Sequence, residues 1–303
     1  MDTLKYEILL NSIETGSISA AAEKMGYSQP GASHMINSLE NELGLKLISR
    51  TKNGVKLTPT GKALLPYIKN VVSENNSLLQ AASEMSGLLK GSLLIGSMDT
   101  ISTAFLPEIL GEFKKLYPNV EFDLKNGSYI DNEYWLLHKD VDCGFVMLPT
   151  AEELITLPVV HDRFVIVSGK NYRPDFANPN AVTKDELLKE SIILIDGIDA
   201  YEISRIFSTE ISKLKVSITT KNTLAFIKMI QNIPGIGILP STLAEEFTSL
   251  LNIYEFKEKF DRTLALAYTN KKEASPITKK FIEFLEKRSC TECSQSKNVS
   301  RET

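Results

Sequence analysis

The sequence has few of the residues that support redox or metal chemistry. It contains three cysteines, three histidines and one tryptophan in 303 residues. Three cysteines cannot form a disulfide framework in a chain of this length, and their number fits a reducing compartment. His34, His138 and His161 lack the spacing of a metal site or a catalytic triad. We therefore expect no metal, no cofactor and no enzyme activity.

Long apolar runs are also missing. No stretch reaches the roughly 18 consecutive apolar residues of a transmembrane helix, and the N-terminal segment carries acidic residues rather than a signal-peptide core. These absences predict a cytoplasmic protein with no membrane partner. The hydrophobic content of 43% and the net charge of -4 fit a globular chain, and the length fits two domains.

The first sixty residues predict a winged helix-turn-helix. Apolar spacing indicates a helix over residues 3–14, and a second helix follows Gly16. Ser28 and Pro30 then suit the start of a third helix, over residues 29–42. Two helices joined by a glycine turn, the second with a polar face, are typical of DNA-reading motifs. The turn signal in residues 53–54 predicts a short hairpin after them.

Positive charge is concentrated beside this motif. Six Lys or Arg residues and no Asp or Glu lie between Leu45 and Ser73. Such a stretch suits phosphate contact, although its cations could simply keep a surface soluble. We expect Ser33, His34 and Asn37 to read bases, while the wing and its flank hold the DNA backbone. The predicted DNA-binding residues are Ser28, Gln29, Pro30, Ser33, His34, Asn37, Arg50, Lys52 and Thr58.

A long helix is predicted from residue 59 to about Leu89. Its apolar residues alternate at spacings of four and three, and Asn75 interrupts them at a position that can fix pairing in coiled coils. This pattern predicts a homodimer, and the alternative is a lone surface helix with an apolar stripe. The predicted dimer residues are Leu64, Ile68, Val71, Asn75, Leu78, Ala82 and Met85.

From Gly91 onward, short apolar strands alternate with helices, which predicts an α/β domain with two subdomains. Open parallel sheets bind ligands at the carboxyl ends of their strands. Each candidate there could instead be a simple cap or turn. The carboxylate of Asp99 would repel a dianion, so we expect a neutral, zwitterionic or hydroxylated ligand. The predicted ligand residues are Asp99, Thr100, Ser102, Ser128, Met147, Gly197, Tyr201, Asn222 and Thr223.

Several of these segments resemble the LysR-type transcriptional regulators. The matching segments in the N-terminal part are Gly16–Ala22, Ser28–Pro30, Leu39–Gly44 and Leu57–Gly61, and later ones are Leu137–Asp142 and Gly235–Pro240. The resemblance covers nearly the whole chain. It implies an N-terminal all-α winged helix-turn-helix with a long linker helix. It also implies a C-terminal, periplasmic-binding-protein-like α/β effector domain of two Rossmann-like subdomains.

The resemblance also implies a function and a domain plan. The regulator would bind a double-stranded DNA operator as a homodimer or homotetramer and sense a small-molecule effector between the two subdomains, with RNA polymerase as a further candidate partner. The expected domains are the winged helix-turn-helix at 1–58, the linker helix at 59–90, the effector domain at 91–288 and a polar, irregular tail at 289–303. Within the effector domain, the first subdomain takes about 91–161 and 269–288, and the second about 162–268.

Two alternatives stay open at this point. Residues 91–288 alone would fit a stand-alone solute-binding protein, although the first ninety residues and the missing signal peptide speak against it. Cys290 and Cys293 form a C-x-x-C pair that could bind metal or become oxidised, but they open the polar tail and have no partner pair.

Overall fold

The computed structural model describes residues 3–51, 54–195, 204, 206–207 and 213–299. Lys52, Gly197 and Tyr201, three of the predicted site residues, lie outside this part. The chain divides into two units. The first comprises Met1–Ser92, Asn119–Glu121 and Lys272–Lys279, and the second comprises Leu93–Pro118, Phe122–Lys271 and Lys280–Thr303. The domain boundaries expected from the sequence stay predictions.

Four helices and a hairpin form most of the first unit. They are α1 (Leu4–Thr15), α2 (Ile18–Lys24), α3 (Gln29–Leu43), β1 (Ile48–Thr51), β2 (Gly54–Leu57) and α4 (Pro59–Met85). Ser17, Ser28 and Thr58 cap α2, α3 and α4 by accepting hydrogen bonds from backbone N–H groups in the first turns. Strands β1 and β2 pair antiparallel, as the turn signal predicts. Ile8, Ala21, Ile36 and Leu47 lie in the core that these elements share.

Helix α4 ends four residues earlier than the sequence predicts. It stops at Met85 rather than near Leu89, and Gly87 follows with a positive φ of 82°. Glycine adopts this left-handed conformation at little cost, which makes it a common residue just beyond a helix end.

From Gly91 onward, strands and helices alternate. In chain order they are β3 (Gly91–Ser97), α5 (Asp99–Ala104), α6 (Leu106–Leu116), β4 (Val120–Asn126), α7 (Tyr129–Leu137), β5 (Cys143–Met147), β6 (Ile155–Gly169), α8 (Lys184–Leu187), β7 (Ser191–Ile195), β8 (Lys215–Thr220), α9 (Thr223–Asn232), β9 (Ile236–Pro240), α10 (Ser241–Glu245), β10 (Leu251–Tyr254), β11 (Asp261–Tyr268) and α11 (Pro276–Val299).

Two long strands connect the halves of the second unit. The strand order is β4-β3-β5-β11-β6-β9-β7-β8, with β10 also pairing with β6. Strands β3 and β5 are parallel, as are β7, β8 and β9. Strand β6 pairs antiparallel with β11 over residues 155–163 and with β9 over residues 164–168, so it passes from one half into the other. We call β6 and β11 the crossing strands. Through them, the carboxyl end of β5 in one half and that of β9 in the other both reach the junction of the halves.

The C-terminal helix is longer than expected. Helix α11 continues to Val299, through most of the segment predicted to be an irregular tail. Residues 277–299 contain neither glycine nor proline, so this polar sequence has no residue that would break the helix. Within the described part of the chain, no helix combines the length and apolar composition needed to cross a bilayer.

Candidate functional site

The exposed face of α3 carries polar side chains. His34 and Asn37 are exposed, while Ala32, Ile36 and Leu39 on the other face are buried. Near the start of the helix, Gln29 Nε2 donates to Ser33 Oγ at 2.9 Å. A concavity of about 360 Å³ follows this face and is lined by His34, Asn37, Ser38, Asn41 and Glu42. The helix thus presents donors and acceptors that can reach base edges.

The wing lies beside this face. Arg50, exposed on β1, donates from Nη2 to Asn37 Oδ1 at 3.5 Å. A residue predicted to contact phosphate and a residue predicted to read bases are therefore neighbours. Because the guanidinium is exposed and its hydrogen bond to the helix is long, it remains available to an anion.

A buried carboxylate fixes the wing to α3. Glu40, 4% exposed, accepts hydrogen bonds from the N–H groups of Leu47 at 2.8 Å and Ile48 at 3.2 Å, and from Lys46 Nζ at 2.5 Å. Burial by itself would raise the pKa of Glu40, but these three donors outweigh it and lower that pKa. Glu40 therefore sets where the first wing strand begins.

The hydroxyl of Thr58 serves the same junction. It accepts from Gly61 N–H at 2.9 Å and donates to the Lys46 carbonyl at 2.7 Å. This ties the end of the wing to the start of α4. Its predicted contact with DNA stays a prediction.

The faces of α4 distinguish two groups among the predicted dimer residues. Ile68 is buried in the core of its own unit and Leu64 packs against that core. Asn75 Nδ2 donates to Thr3 Oγ1 at 3.2 Å, in the same chain. Three predicted seam residues thus contact their own chain. A straight helix has 3.6 residues per turn, so residues that repeat every seven positions drift around its surface and do not all stay on one face. The exposed stripe of α4 consists of Tyr67, Val71, Leu78, Ala82 and Met85, and the exposed Glu74 interrupts these apolar residues.

In the second unit, a hydrogen bond joins the two halves. Thr223 Oγ1, at the start of α9, donates to Asp99 Oδ2, at the start of α5, at 2.9 Å. Next to Asp99, the hydroxyl of Thr100 is buried and has no hydrogen-bond partner among the described residues. Ser102 Oγ lies 2.7 Å from Asn126 Oδ1 and 2.9 Å from Ser97 Oγ. Strands β3 and β4 therefore end in a cluster of hydroxyl and amide groups.

A buried ion pair lies where the crossing strands meet. Arg262 on β11 donates to Asp162 Oδ2 on β6 at 2.8 Å, and both side chains are fully buried. Asp162 Oδ1 accepts from Ser241 Oγ at 2.7 Å, and Arg262 Nη1 donates to the hydroxyl of Tyr129 on α7. Burial by itself would raise the pKa of Asp162, but the charge of Arg262 and the hydrogen bonds from Ser241, Arg262 and Thr242 together outweigh it and lower that pKa. The pair thereby links residues from both halves.

Comparison with known families decides what these sites belong to. Residues 5–62 match the family described as "Bacterial regulatory helix-turn-helix protein, lysR family". Residues 86–289 match the "LysR substrate binding domain". The chain belongs to the LysR family. It is a DNA-binding transcriptional regulator with an effector-binding domain, and its relatives are regulators rather than enzymes.

Relatives of this LysR regulator match over most of its length. YvbU of Bacillus subtilis (strain 168), an HTH-type transcriptional regulator, is 31% identical over 286 residues, 93% of this chain and 97% of YvbU. CbnR, solved as the full-length protein complexed with its target DNA, is 18% identical with a TM-score of 0.66, covering 95% of this chain and 99% of that one. OxyR C199D from Pseudomonas aeruginosa is 21% identical with a TM-score of 0.66, covering 94% and 93%. The expected family, fold class and function are confirmed.

The remaining predicted effector residues of this LysR regulator lie at helix starts or at a strand end. Ser128 caps α7 and donates to Asp131 Oδ2 at 2.6 Å, and Asn222 caps α9 by accepting from Ala225 N–H at 2.8 Å. Met147 ends β5 opposite Leu264. Ser128 and Asn222 therefore act as helix caps, which was the alternative role considered for the candidate ligand residues. Asp99 and Thr223, by contrast, are hydrogen-bonded to each other.

The sequence reasoning did not single out four residues that meet where the two halves join: Tyr129, Asp162, Ser241 and Arg262. One signal could have pointed to two of them, because Asp162 and Arg262 are opposite charges that each precede an apolar strand segment. Among the described residues, no group of three or more His, Cys, Asp or Glu side chains is placed to hold a metal ion.

Proposed function

We propose that this regulator binds its operator as a homodimer, with α3 in the major groove and the β1–β2 wing on the DNA backbone. The observation that supports this most is the contact between Arg50 and Asn37, which places a cation beside the polar face of the helix. Helix-turn-helix proteins read bases with the second helix of the motif and position it through phosphate contacts. Because its target is the operator, the protein acts in the cytoplasm.

The salt dependence of DNA binding can distinguish the role of α3 from that of the wing. Arg50→Ala should weaken binding to all DNA sequences similarly and reduce the slope of log K against log salt by about one, as for one lost phosphate contact. His34→Ala should leave the slope unchanged and relax selection at particular bases. The measurement is fluorescence anisotropy on an operator selected from random DNA, over a range of salt concentrations.

Lys170→Ala is the matched control, since it removes one exposed positive charge from the second unit. An Arg50→Ala slope equal to that of the wild type would remove Arg50 from the DNA interface.

The dimer uses the exposed stripe on α4. Tyr67, Leu78 and Met85 are 69%, 64% and 90% exposed, which is unusual for three large apolar side chains on one helix. Leu78→Asp should raise the dimer dissociation constant by about tenfold or more, because it places a charge in the buried interface between the two helices. Ser73→Asp, exposed on the same helix but off the stripe, should have little effect in sedimentation equilibrium.

Assembly beyond the dimer would use the second unit. Leu116, Leu124, Val216 and Leu224 are exposed there, and such residues could pair effector domains into a homotetramer. RNA polymerase is a further candidate partner on the operator. We infer no need for a cofactor other than the effector.

The effector would bind between the halves of the second unit, at Asp99, Thr100, Ser102 and Thr223. The hydrogen bond between Asp99 and Thr223 supports this, because a ligand there touches both halves and can favour one arrangement over another. A confirmed effector should lose affinity for the Thr100→Val and Ser102→Ala variants of the full chain. Unchanged affinity for both would remove the cleft assignment while leaving the DNA-binding role intact.

A further inference from the structure

The carboxylate of Asp99 carries a charge that the described part of the protein does not neutralise. Its side-chain partner there is a hydroxyl, that of Thr223, and it forms no ion pair with a described Lys, Arg or His. Asp99 is half-buried at the junction of the two halves. A carboxylate with reduced access to water and no counter-ion attracts a cation more strongly than an exposed one does.

One pair of opposite charges at this junction neutralises itself. Arg262 is bound to Asp162, and both are held further by Tyr129 and Ser241. That pair leaves no net charge to offset Asp99. A ligand that reaches Asp99 would therefore meet a negative charge, which disfavours an anion at that position.

A second polar group at the same place lacks a partner. The Thr100 hydroxyl is 2% exposed as a residue, and its oxygen forms no hydrogen bond with the described residues. Buried hydroxyls are nearly always hydrogen-bonded, so an orphan beside an uncompensated carboxylate points to a missing polar ligand. An acid in the first turn of α5 also stabilises that helix, but this role explains neither the orphan hydroxyl nor the bond to Thr223.

We propose that the effector carries a protonated amine, which binds the carboxylate of Asp99, while a polar group of the same ligand satisfies Thr100. This inference rests on the proposed effector site and adds the chemical class of its ligand. The amine would replace or bridge the hydrogen bond between Asp99 and Thr223, and so act on both halves at once. Free amino acids and aliphatic diamines share this chemistry.

A thermal-shift screen of the full-length protein tests the ligand class. The probes are amino acids and aliphatic diamines at millimolar concentration, each beside the counterpart in which every amine is N-acetylated, with the matching carboxylic acids and simple sugars as further arms. We expect at least one amine to raise the melting temperature and its N-acetylated counterpart to fail. A response limited to amino acids identifies a zwitterion, and a response to diamines identifies a cation.

Variants then assign the amine to Asp99. Asp99→Asn keeps an acceptor for Thr223 but loses the charge, and it should weaken binding of the responding amine about ten- to hundredfold in titration calorimetry. Asp123→Asn makes the same change of charge at an exposed site on β4 and should leave affinity unchanged. Thr223→Val keeps the carboxylate and should still discriminate the amine from its N-acetylated form.

Three outcomes would overturn the inference. The first is that no amine in the panel binds, and the second is that Asp99→Asn binds the amine as well as the wild type does. The third is that a carboxylic acid or sugar binds and Thr100→Val abolishes its binding, which removes the ligand class but keeps the cleft. Binding that survives both Asp99→Asn and Thr100→Val would remove the cleft itself.

Discussion

Glu40 in the first unit and Asp99 in the second are two carboxylates in different surroundings. Glu40 is buried and accepts hydrogen bonds from two backbone N–H groups and one ammonium, whereas the described partner of Asp99 is the hydroxyl of Thr223. Each hydrogen bond to a charged group is worth about 1.5–3 kcal/mol, so three donors can offset the cost of burying Glu40. A single hydroxyl cannot do the same for a fully buried charge, and Asp99 stays half-exposed.

The difference indicates what each region does with charge. The first unit uses its buried carboxylate to hold a rigid reading surface, with the wing fixed against α3. The second unit fully neutralises one carboxylate, Asp162, at the junction of its crossing strands, and leaves Asp99 available. If this comparison is correct, loss of Glu40 or Asp162 should cost stability, while loss of Asp99 should mainly cost ligand selectivity.

The largest effect is expected at the junction of the second unit. Asp162→Ala should reduce the free energy of unfolding of this unit by about 3–5 kcal/mol, because it leaves the buried guanidinium of Arg262 without its counter-charge. Trp135 on α7, the one tryptophan of the chain, reports on this unit. Urea unfolding followed by tryptophan fluorescence therefore measures the change.

A double variant provides the control. Asp162→Leu combined with Arg262→Met removes both charges and should cost less than Asp162→Ala alone. If the double variant were the less stable of the two, stability at this junction would come from the net attraction of the pair rather than from the penalty of an uncompensated charge.

A smaller loss is expected at Glu40. Glu40→Ala should destabilise the first unit by about 2–3 kcal/mol, because two buried N–H groups lose their acceptor. Loss of helix measured by circular dichroism should come earlier in urea, while the transition followed by Trp135 should not move. If the fluorescence transition moved to lower urea as far as the circular dichroism transition did, the two units would unfold together. Stability measurements could then not compare Glu40 with the carboxylates of the second unit.

The pH dependence of Glu40 follows from its lowered pKa. The folded chain holds this carboxylate ionised below the ordinary value of 4.5, so its contribution is complete above that pH and is lost as pH falls through the folded pKa. The stability gap between wild type and Glu40→Gln should therefore be constant near neutral pH and shrink in acid. A gap that widened on acidification would contradict this assignment.

Much of the first unit was predictable because its determinants are local. Ser28 and Pro30 start a helix, Gly16 ends one, and the hairpin signal lies between two short strands, so neighbours in sequence decide the structure. The faces of α4 were less predictable. The spacing of its apolar residues is compatible with both a partner helix and α1, and only the packed chain shows that Ile68 and Asn75 face inward.

The contact between the two halves at the proposed effector cleft was predictable in place but not in detail. The rule that ligands bind at strand ends selects Asp99 and Thr223, which lie 124 residues apart and yet share a hydrogen bond. It does not select Asp162 or Arg262, because their pairing depends on how two crossing strands align across a separation of 100 residues. Such registers are set by tertiary packing, to which local propensity contributes little.

The smallest effect is expected at Asn75, and it tests which face of α4 belongs to the dimer. Asn75→Ala should cost about 1 kcal/mol of first-unit stability, because it removes the hydrogen bond to Thr3, whose hydroxyl also donates to Glu7 at 2.8 Å. It should leave the dimer dissociation constant unchanged in sedimentation equilibrium. Glu74→Leu should do the reverse, lowering that constant about tenfold by extending the apolar stripe while leaving monomer stability nearly constant. If Asn75→Ala weakened the dimer and Glu74→Leu did not strengthen it, the subunits would meet through the face that carries Asn75, and the exposed stripe would need another explanation.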